Sequence, residues 1–164
     1  MATVGMTPQS QISPDNDRVA CEIFIAAPRE RIFEALTDPN QAIRWWGQKD
    51  RYQLSEFIMD VRVGGKWSTS GGSMKMGHID VHGEFLEIDP PLRLKYTWIS
   101  SWMPKSTMVL WELEEKDNGT LVKLTHTGFA GDAGHAKAHS DGWNLVLSWL
   151  EAYLERGETV GARK

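Results

Sequence analysis

The chain has little of what several classes of protein require. It contains one cysteine, Cys21, among 164 residues, which excludes an internal disulfide and a cysteine-based zinc site. No apolar run is long enough to span a bilayer, and the first residues lack the basic start and apolar stretch of a secretory signal. The formal net charge of -4 disfavours nucleic acid and anionic membranes as partners. We therefore expect a cytoplasmic protein with no nucleic-acid partner and no membrane partner.

The sequence predicts one domain between two polar tails. Residues 1–17 are polar and contain proline, which predicts a disordered N-terminal tail, and residues 158–164 predict a polar C-terminal tail. Residues 18–157 are long enough for a single domain with a substantial apolar core. The first strand is predicted over Arg18–Ala26, and two short helices follow it and end at Gly47.

Apolar residues recur at every second position between residues 53 and 127, which predicts a run of antiparallel strands. On the strand His78–Ile88 the apolar parity changes near Phe85, so its facing is ambiguous and a β-bulge is predicted there. The final helix, with Asp141 as its predicted N-cap, carries one apolar stripe. Only this helix is large enough to cover the apolar face of the sheet. The pattern therefore predicts an α+β helix-grip fold, in which a curved antiparallel sheet wraps around the C-terminal helix and encloses a cavity.

Tryptophan is abundant, with eight residues in the chain. An indole combines a large apolar face with one N–H donor, so it can line a cavity and still bind a polar group. Strand parity and the helical stripe turn four of the indoles inward, and two more close the second short helix, near the expected cavity entrance. The predicted ligand-binding residues are Trp45, Trp46, Trp67, Glu84, Tyr96, Trp98, Trp111, His126 and Trp143. The alternative for each tryptophan is packing in the core, and Trp102 is predicted to form a lid or a dimer contact.

His126 is the one, weak, candidate for a catalytic residue. It continues the inward parity of Val122 and Leu124, so its imidazole could orient a ligand carbonyl or act as a general base. The alternative, which we favour, is a histidine at the pocket rim that is bonded to the backbone. The sequence assigns no other catalytic residue.

Two histidine patterns resemble metal sites. One is a row of alternate polar residues on a single predicted strand, composed of His78, Asp80, His82 and Glu84. The other is the pair His135 and His139, whose spacing suits two ligands on one helix face. Alternating polar residues are more typical of the solvent face of an antiparallel sheet, and no third ligand accompanies the helical pair. Because a phosphate-binding loop is also missing, we expect neither a metal nor a cofactor.

Five segments of the chain resemble one known family in their joint order. They are APRERIFEALTDPNQAIRWWG, MDVRVGGKW, GEFLEIDPPLRLKYTW, ELEEKDNGTLVKLTHTGF and DGWNLVLSWLEAYL. Together, from Val19 to Leu154, they resemble the activator of heat-shock-protein-90 ATPase homologue-like family of the START-like (SRPBCC) superfamily. The resemblance implies a START-like helix-grip domain with a deep hydrophobic pocket. It is also compatible with a homodimer, which no residue pattern of the chain predicts.

Three functions remain open at this stage. The first is binding of a small hydrophobic or aromatic molecule between sheet and helix, with His126, Tyr96 and Glu84 as polar anchors. The second is a cyclase-, hydratase- or lyase-like enzyme on a polyketide-type or aromatic substrate, which needs a second titratable group facing His126. The third is a chaperone-assisting interaction module. It is disfavoured because the chain has no room for the separate chaperone-binding domain of the eukaryotic co-chaperone.

Overall fold

The computed structural model describes residues 8–163 and shows one antiparallel sheet packed against a long helix. The nine strands identified in this range lie in the order β1-β2-β9-β8-β7-β6-β5-β4-β3. The strands are β1 (Gln9–Ile12), β2 (Arg18–Ile25), β3 (Gly47–Gln48), β4 (Tyr52–Met59), β5 (Lys66–Ser73), β6 (Gly77–Asp89), β7 (Arg93–Ser100), β8 (Met103–Lys116) and β9 (Gly119–Thr127). The helices are α1 (Arg29–Thr37), α2 (Pro39–Trp45) and α3 (Ala133–Arg156), followed by a 3-10 turn over Val160–Ala162.

Helix α3 covers the apolar face of the sheet. Its residues Leu147 and Leu150 are fully buried, and Trp111 and Leu124 are buried on the sheet. Fully burying one such side chain contributes roughly 1.5–3 kcal/mol, so this interface supplies much of the core. The arrangement confirms the predicted helix-grip fold.

Two aspartates fix the starts of the helices that frame the core. Asp38 caps α2 by accepting from Asn40 N at 3.0 Å. Asp132 caps α3 by accepting from His135 N at 3.0 Å, so the prediction that Asp141 is the cap is wrong. The helix begins nine residues earlier because an alanine-rich turn, which carries no apolar stripe, still has high helix propensity.

Both predicted tails contain ordered structure. Gln9–Ile12 pairs with β2 as an edge strand, so the prediction of disorder over residues 1–17 is wrong there. Residues 1–7 lie outside the described residues. At the other end, the chain after α3 forms the 3-10 turn and buries the side chain of Arg163.

Strand β6 resolves the ambiguity in its facing. Its register against β7 shifts between Phe85 and Glu87, which confirms the predicted bulge. Regular alternation buries Ile79, Val81 and Phe85, and the bulge then changes the parity, so Leu86 is exposed and Ile88 packs against the core. Gly83 lies next to the Thr97 carbonyl and the Trp67 indole, where a Cβ would collide with both. The small residue therefore makes room for an indole on the inner face of the sheet.

Candidate ligand-binding site

An aromatic cavity lies between helices α1 and α2 and the inner face of strands β4 to β8. Its free volume is about 20 Å³, which is room for about one water molecule. The walls are apolar except for the side-chain polar groups of Thr69, the tyrosines and the tryptophans. Six of the residues predicted from the sequence lie on these walls: Trp45, Trp46, Trp67, Tyr96, Trp98 and Trp111.

Trp46 is the central ring of this wall. Its ring centroid lies 6.0 Å from that of Phe57 on β4 and 6.4 Å from that of Trp98 on β7. A hydrogen bond joins its side chain to the Tyr52 hydroxyl. These ring-edge and stacked contacts hold the cavity nearly closed.

Two phenols face this region in their neutral form, that of Tyr96 buried and that of Tyr52 half-buried. Burial raises the pKa of both Tyr52 and Tyr96 well above the ordinary value of 10. The Tyr96 hydroxyl accepts a hydrogen bond from Trp111 Nε1 at 2.9 Å. Because the phenol stays protonated, its own O–H can still donate to an acceptor on a bound molecule.

The prediction of ligand-binding residues from the sequence did not name the other eight wall residues. They are Leu36, Ala42, Tyr52, Phe57, Met59, Thr69, Phe85 and Leu94. Phe57 and Met59 share one parity on β4, so the period-two pattern could have identified them. Tyr52, Phe57 and Met59 are only half-buried, which places the mouth of the cavity at this strand.

Glu84 does not reach the cavity, and its prediction as an anchor is corrected. It alternates with the buried Gly83 and Phe85 and therefore points to the outer face of the sheet. There its carboxylate pairs with Lys66 Nζ at 3.2 Å, and the Lys66 side chain is 80% exposed. The bulge lies beyond this position, so it does not turn Glu84 inward.

Trp143 lies on α3, behind the cavity wall rather than on it. Its ring centroid is 5.2 Å from that of Trp98 and 5.9 Å from those of Trp46 and Trp111. The indole therefore buttresses three wall residues from the helix side. Its N–H is aimed at His126 and is not available to a ligand in the cavity.

His126 is fully buried, and both of its ring nitrogens have partners. The indole N–H of Trp143 donates to Nδ1 at 3.0 Å, so Nδ1 carries no proton. Nε2 carries it and lies 2.7 Å from Thr107 Oγ1, which in turn donates to the Trp98 carbonyl at 2.8 Å. The favoured prediction, a rim histidine bonded to the backbone, is wrong, because the ring lies in the interior and is bonded to side chains.

This environment holds His126 in one neutral state. Burial, with a smaller contribution from the neighbouring His139, lowers its pKa well below 6.5. The rings of Phe129 and His139 lie 4.6 and 5.1 Å away, centroid to centroid. A proton could enter or leave the imidazole only if a buried hydrogen bond broke. The geometry is that of a structural polar network and not of a general base.

Arg163 was missed by the sequence analysis because it lies in a polar tail. Its Nη1 donates to the carbonyls of Trp45 at 2.6 Å and Gly47 at 2.7 Å. Its Nη2 donates to the carbonyls of Trp149 at 2.9 Å and Glu158 at 3.1 Å. The guanidinium thereby ties the end of α2, which carries two wall residues, to the end of α3.

The two histidine patterns do not assemble a metal site. His78 Nε2 lies 3.1 Å from the Asp80 carboxylate on the exposed face, while His135 pairs with Asp132 at the start of α3. Among residues 8–163, no three His, Cys, Asp or Glu side chains are grouped so as to hold a metal ion. In the same range, no helix is both long and apolar enough to cross a membrane.

Comparisons with known proteins agree with this architecture. Residues 26–155 match the sequence profile of the activator of Hsp90 ATPase homolog 1-like protein family. No curated protein matches the chain. CalU16 from Micromonospora echinospora has a TM-score of 0.67 at 24% identity, covering 92% of this chain and 85% of its own.

Two other solved structures are similar. Protein Ms6760 from Mycobacterium smegmatis has a TM-score of 0.77 at 18% identity, covering 89% of this chain and 95% of its own. DynU16, a protein in the dynemicin biosynthetic locus, has a TM-score of 0.72 at 22% identity, covering 90% of this chain and 50% of its own. At these identities the likeness shows the shared fold.

Proposed function

Because this chain belongs to the activator of Hsp90 ATPase homolog 1-like family, we propose that its aromatic cavity binds a small hydrophobic or aromatic molecule. The observation that carries the proposal is the wall itself, where large rings converge from α2 and from the sheet on one enclosed space. Ring faces and edges are well suited to an aromatic ligand. The few polar groups on the wall are suited to orienting such a ligand.

Binding requires the cavity to open. The present volume of about 20 Å³ is far below the roughly 300–1,000 Å³ of a drug-sized site. The half-buried side chains of Phe57 and Met59 at the mouth are the ones that can move without disturbing α3, whereas Tyr52 stacks on Trp149 of that helix at 6.5 Å. We expect a ligand to displace these side chains and to contact Trp46 and Trp98.

The neighbours favour a small biosynthetic molecule as the ligand. DynU16 lies in a biosynthetic locus, which is compatible with a polyketide-type or aromatic compound. An enzyme acting through His126 is less well supported, since both nitrogens of that ring are engaged inside the core. A cytoplasmic location stays a prediction from the sequence, and a homodimer stays compatible with the family resemblance alone.

Fluorescence titration with N-phenyl-1-naphthylamine tests the proposal, because its emission rises in an apolar site. Met59→Trp replaces a wall residue at the cavity mouth by a larger indole side chain. Ile58→Trp is the matched control, because Ile58 lies on the exposed face of the same strand. We expect saturable one-to-one binding to the wild type and to the control, and about tenfold weaker binding to Met59→Trp, which corresponds to about 1.4 kcal/mol. Lack of saturable binding to the folded wild type, or equal binding by both variants, would contradict the proposal.

A further inference from the structure

Two buried ring nitrogens near the cavity have no hydrogen-bond partner. They are Trp98 Nε1 and His139 Nε2, and each residue is only 6% exposed. Buried polar groups are almost always hydrogen-bonded, so each such atom calls for an explanation, such as a bound group. The other unpartnered buried atoms in the described range are the Nε atoms of Arg29 and Arg163, and both guanidinium groups lie near carboxylates, of Glu115 and Glu158.

The two unpartnered nitrogens have complementary roles. An indole N–H can only donate, so Trp98 Nε1 is a donor. His139 Nδ1 lies 2.8 Å from the His135 carbonyl, which can only accept, so Nδ1 carries the proton. Burial lowers the pKa of His139 below 6.5, so the ring is neutral at pH 7 and Nε2 is an acceptor. These two rings therefore supply one unused donor and one unused acceptor next to the cavity wall.

The two rings are in edge contact. Their centroids are 6.3 Å apart with the planes at 78°, and no hydrogen bond joins the nitrogens. This spacing is compatible with one oxygen atom lying about 2.7–3.2 Å from each nitrogen. Trp102 stacks on His139 at 6.0 Å, and Phe129 lies at 5.0 Å, so the surroundings are aromatic. Trp98 is also a wall residue of the cavity, so a ligand held there lies next to this pair of rings.

We propose that Trp98 and His139 form a subsite for one hydroxyl group of an aromatic ligand. The hydroxyl oxygen accepts a hydrogen bond from Trp98 Nε1, and the hydroxyl O–H donates a hydrogen bond to His139 Nε2. A carbonyl or carboxylate oxygen would satisfy the indole and leave the imidazole unpaired, while an ammonium group would do the reverse. The inference rests on the proposed function and narrows the ligand class to phenols and other hydroxylated aromatic molecules.

The affinities of 2-naphthol and 2-methylnaphthalene, measured by competition with the fluorescent probe, test the subsite. The two compounds differ by a hydroxyl in place of a methyl group, so the ratio of their affinities reports the hydroxyl contacts. The ratio is measured for the wild type, for His139→Phe and for His135→Phe, the matched control one helical turn away on α3. Comparing ratios between variants cancels the difference in hydration of the two compounds.

We expect His139→Phe to lower the naphthol-to-methylnaphthalene ratio about tenfold and His135→Phe to leave it unchanged. If His139→Phe does not fold, Trp98→Phe removes the donor instead and should lower the ratio in the same way. An unchanged ratio with both compounds bound would overturn the subsite and leave the cavity proposal standing. If neither compound displaces the probe from the folded wild type, the subsite proposal fails, and the cavity proposal is judged by the binding of the probe itself.

Discussion

Replacement of Arg163 by alanine should destabilise the protein far more than its place in a polar tail suggests. The guanidinium is buried and donates four hydrogen bonds to backbone carbonyls, one at the end of α2, one in β3, one within α3 and one in the segment after α3. It also pairs with the Glu158 carboxylate at 3.6 Å.

The magnitude follows from these contacts. Each hydrogen bond to a charged group contributes roughly 1.5–3 kcal/mol, but part of this is recovered when water enters the truncated site. The Glu158 side chain is 35% exposed, so water can solvate its carboxylate when Arg163 is removed, and loss of the ion pair adds no more than about 1 kcal/mol. From the four hydrogen bonds we expect Arg163→Ala to lower the free energy of unfolding by about 3–5 kcal/mol. Arg163→Lys should lose roughly half as much, because one ammonium group cannot bridge all four carbonyls.

Urea denaturation, monitored by tryptophan fluorescence, measures this loss of unfolding free energy. Arg156→Ala is the control, since Arg156 is 55% exposed and its ion pairs are 3.9 Å long. That variant should lose no more than about 1 kcal/mol. A loss below about 1 kcal/mol for Arg163→Ala, equal to that of the control, would refute the reasoning.

Three further predictions concern the core. Thr107→Val removes the partner of the His126 Nε2 proton and should cost about 1–3 kcal/mol in urea denaturation. The free energy of unfolding should also fall as the pH drops below about 6.5. Because the pKa of His126 is lowered in the folded state, the unfolded chain takes up this proton at a higher pH than the folded chain does. The contribution of His126 to the slope approaches about 1.4 kcal/mol per pH unit. Gly83→Ala should destabilise by about 1–3 kcal/mol, because its Cβ would collide with the Thr97 carbonyl and the Trp67 indole.

Each of these predictions has a contrary outcome, and the first two also have a control variant. Thr125→Val, at a half-exposed position of β9, should be nearly neutral, and equal losses for both threonine variants would argue against the polar network. His126→Gln should flatten the decline in stability between pH 7 and pH 5, and an unchanged slope would mean that His126 does not titrate on unfolding. For Gly83→Ala, a melting temperature matching the wild type would show that β6 and β7 can separate to admit the methyl group.

The alternation of apolar and polar residues made the fold predictable, because a sheet with one buried face places an apolar residue at every second position of each strand. Trp98 and Trp111 lie on the buried parity of β7 and β8, and both are on the cavity wall. The same logic located the bulge of β6. It could not decide which face of the sheet Glu84 lies on, because this depends on whether the bulge comes before or after that residue. The exact position of the bulge is set by the pairing of β6 with β7 and not by composition.

Contacts between distant segments were beyond the reach of the sequence pattern. Ser10 is held to Ser140 at 2.7 Å and to the side chain of Asn144 at 2.9 Å, across about 130 residues of chain. Arg163 likewise acts on carbonyls of α2. His126 was predicted to point inward, but its pairing with Trp143 depends on how α3 docks against β9. Such hydrogen bonds between distant residues produce no periodic pattern in the sequence, so only the folded structure shows them.

Native mass spectrometry tests the central claim, that the cavity binds a small aromatic molecule, most directly. Spectra would be recorded for the protein as purified and after incubation with N-phenyl-1-naphthylamine, with any released compound identified after denaturation. The account predicts a one-to-one adduct, carried from the cell or formed with the probe, that is lost or weakened in Met59→Trp. A bare protein in both spectra would contradict it and would leave the aromatic wall as packing alone.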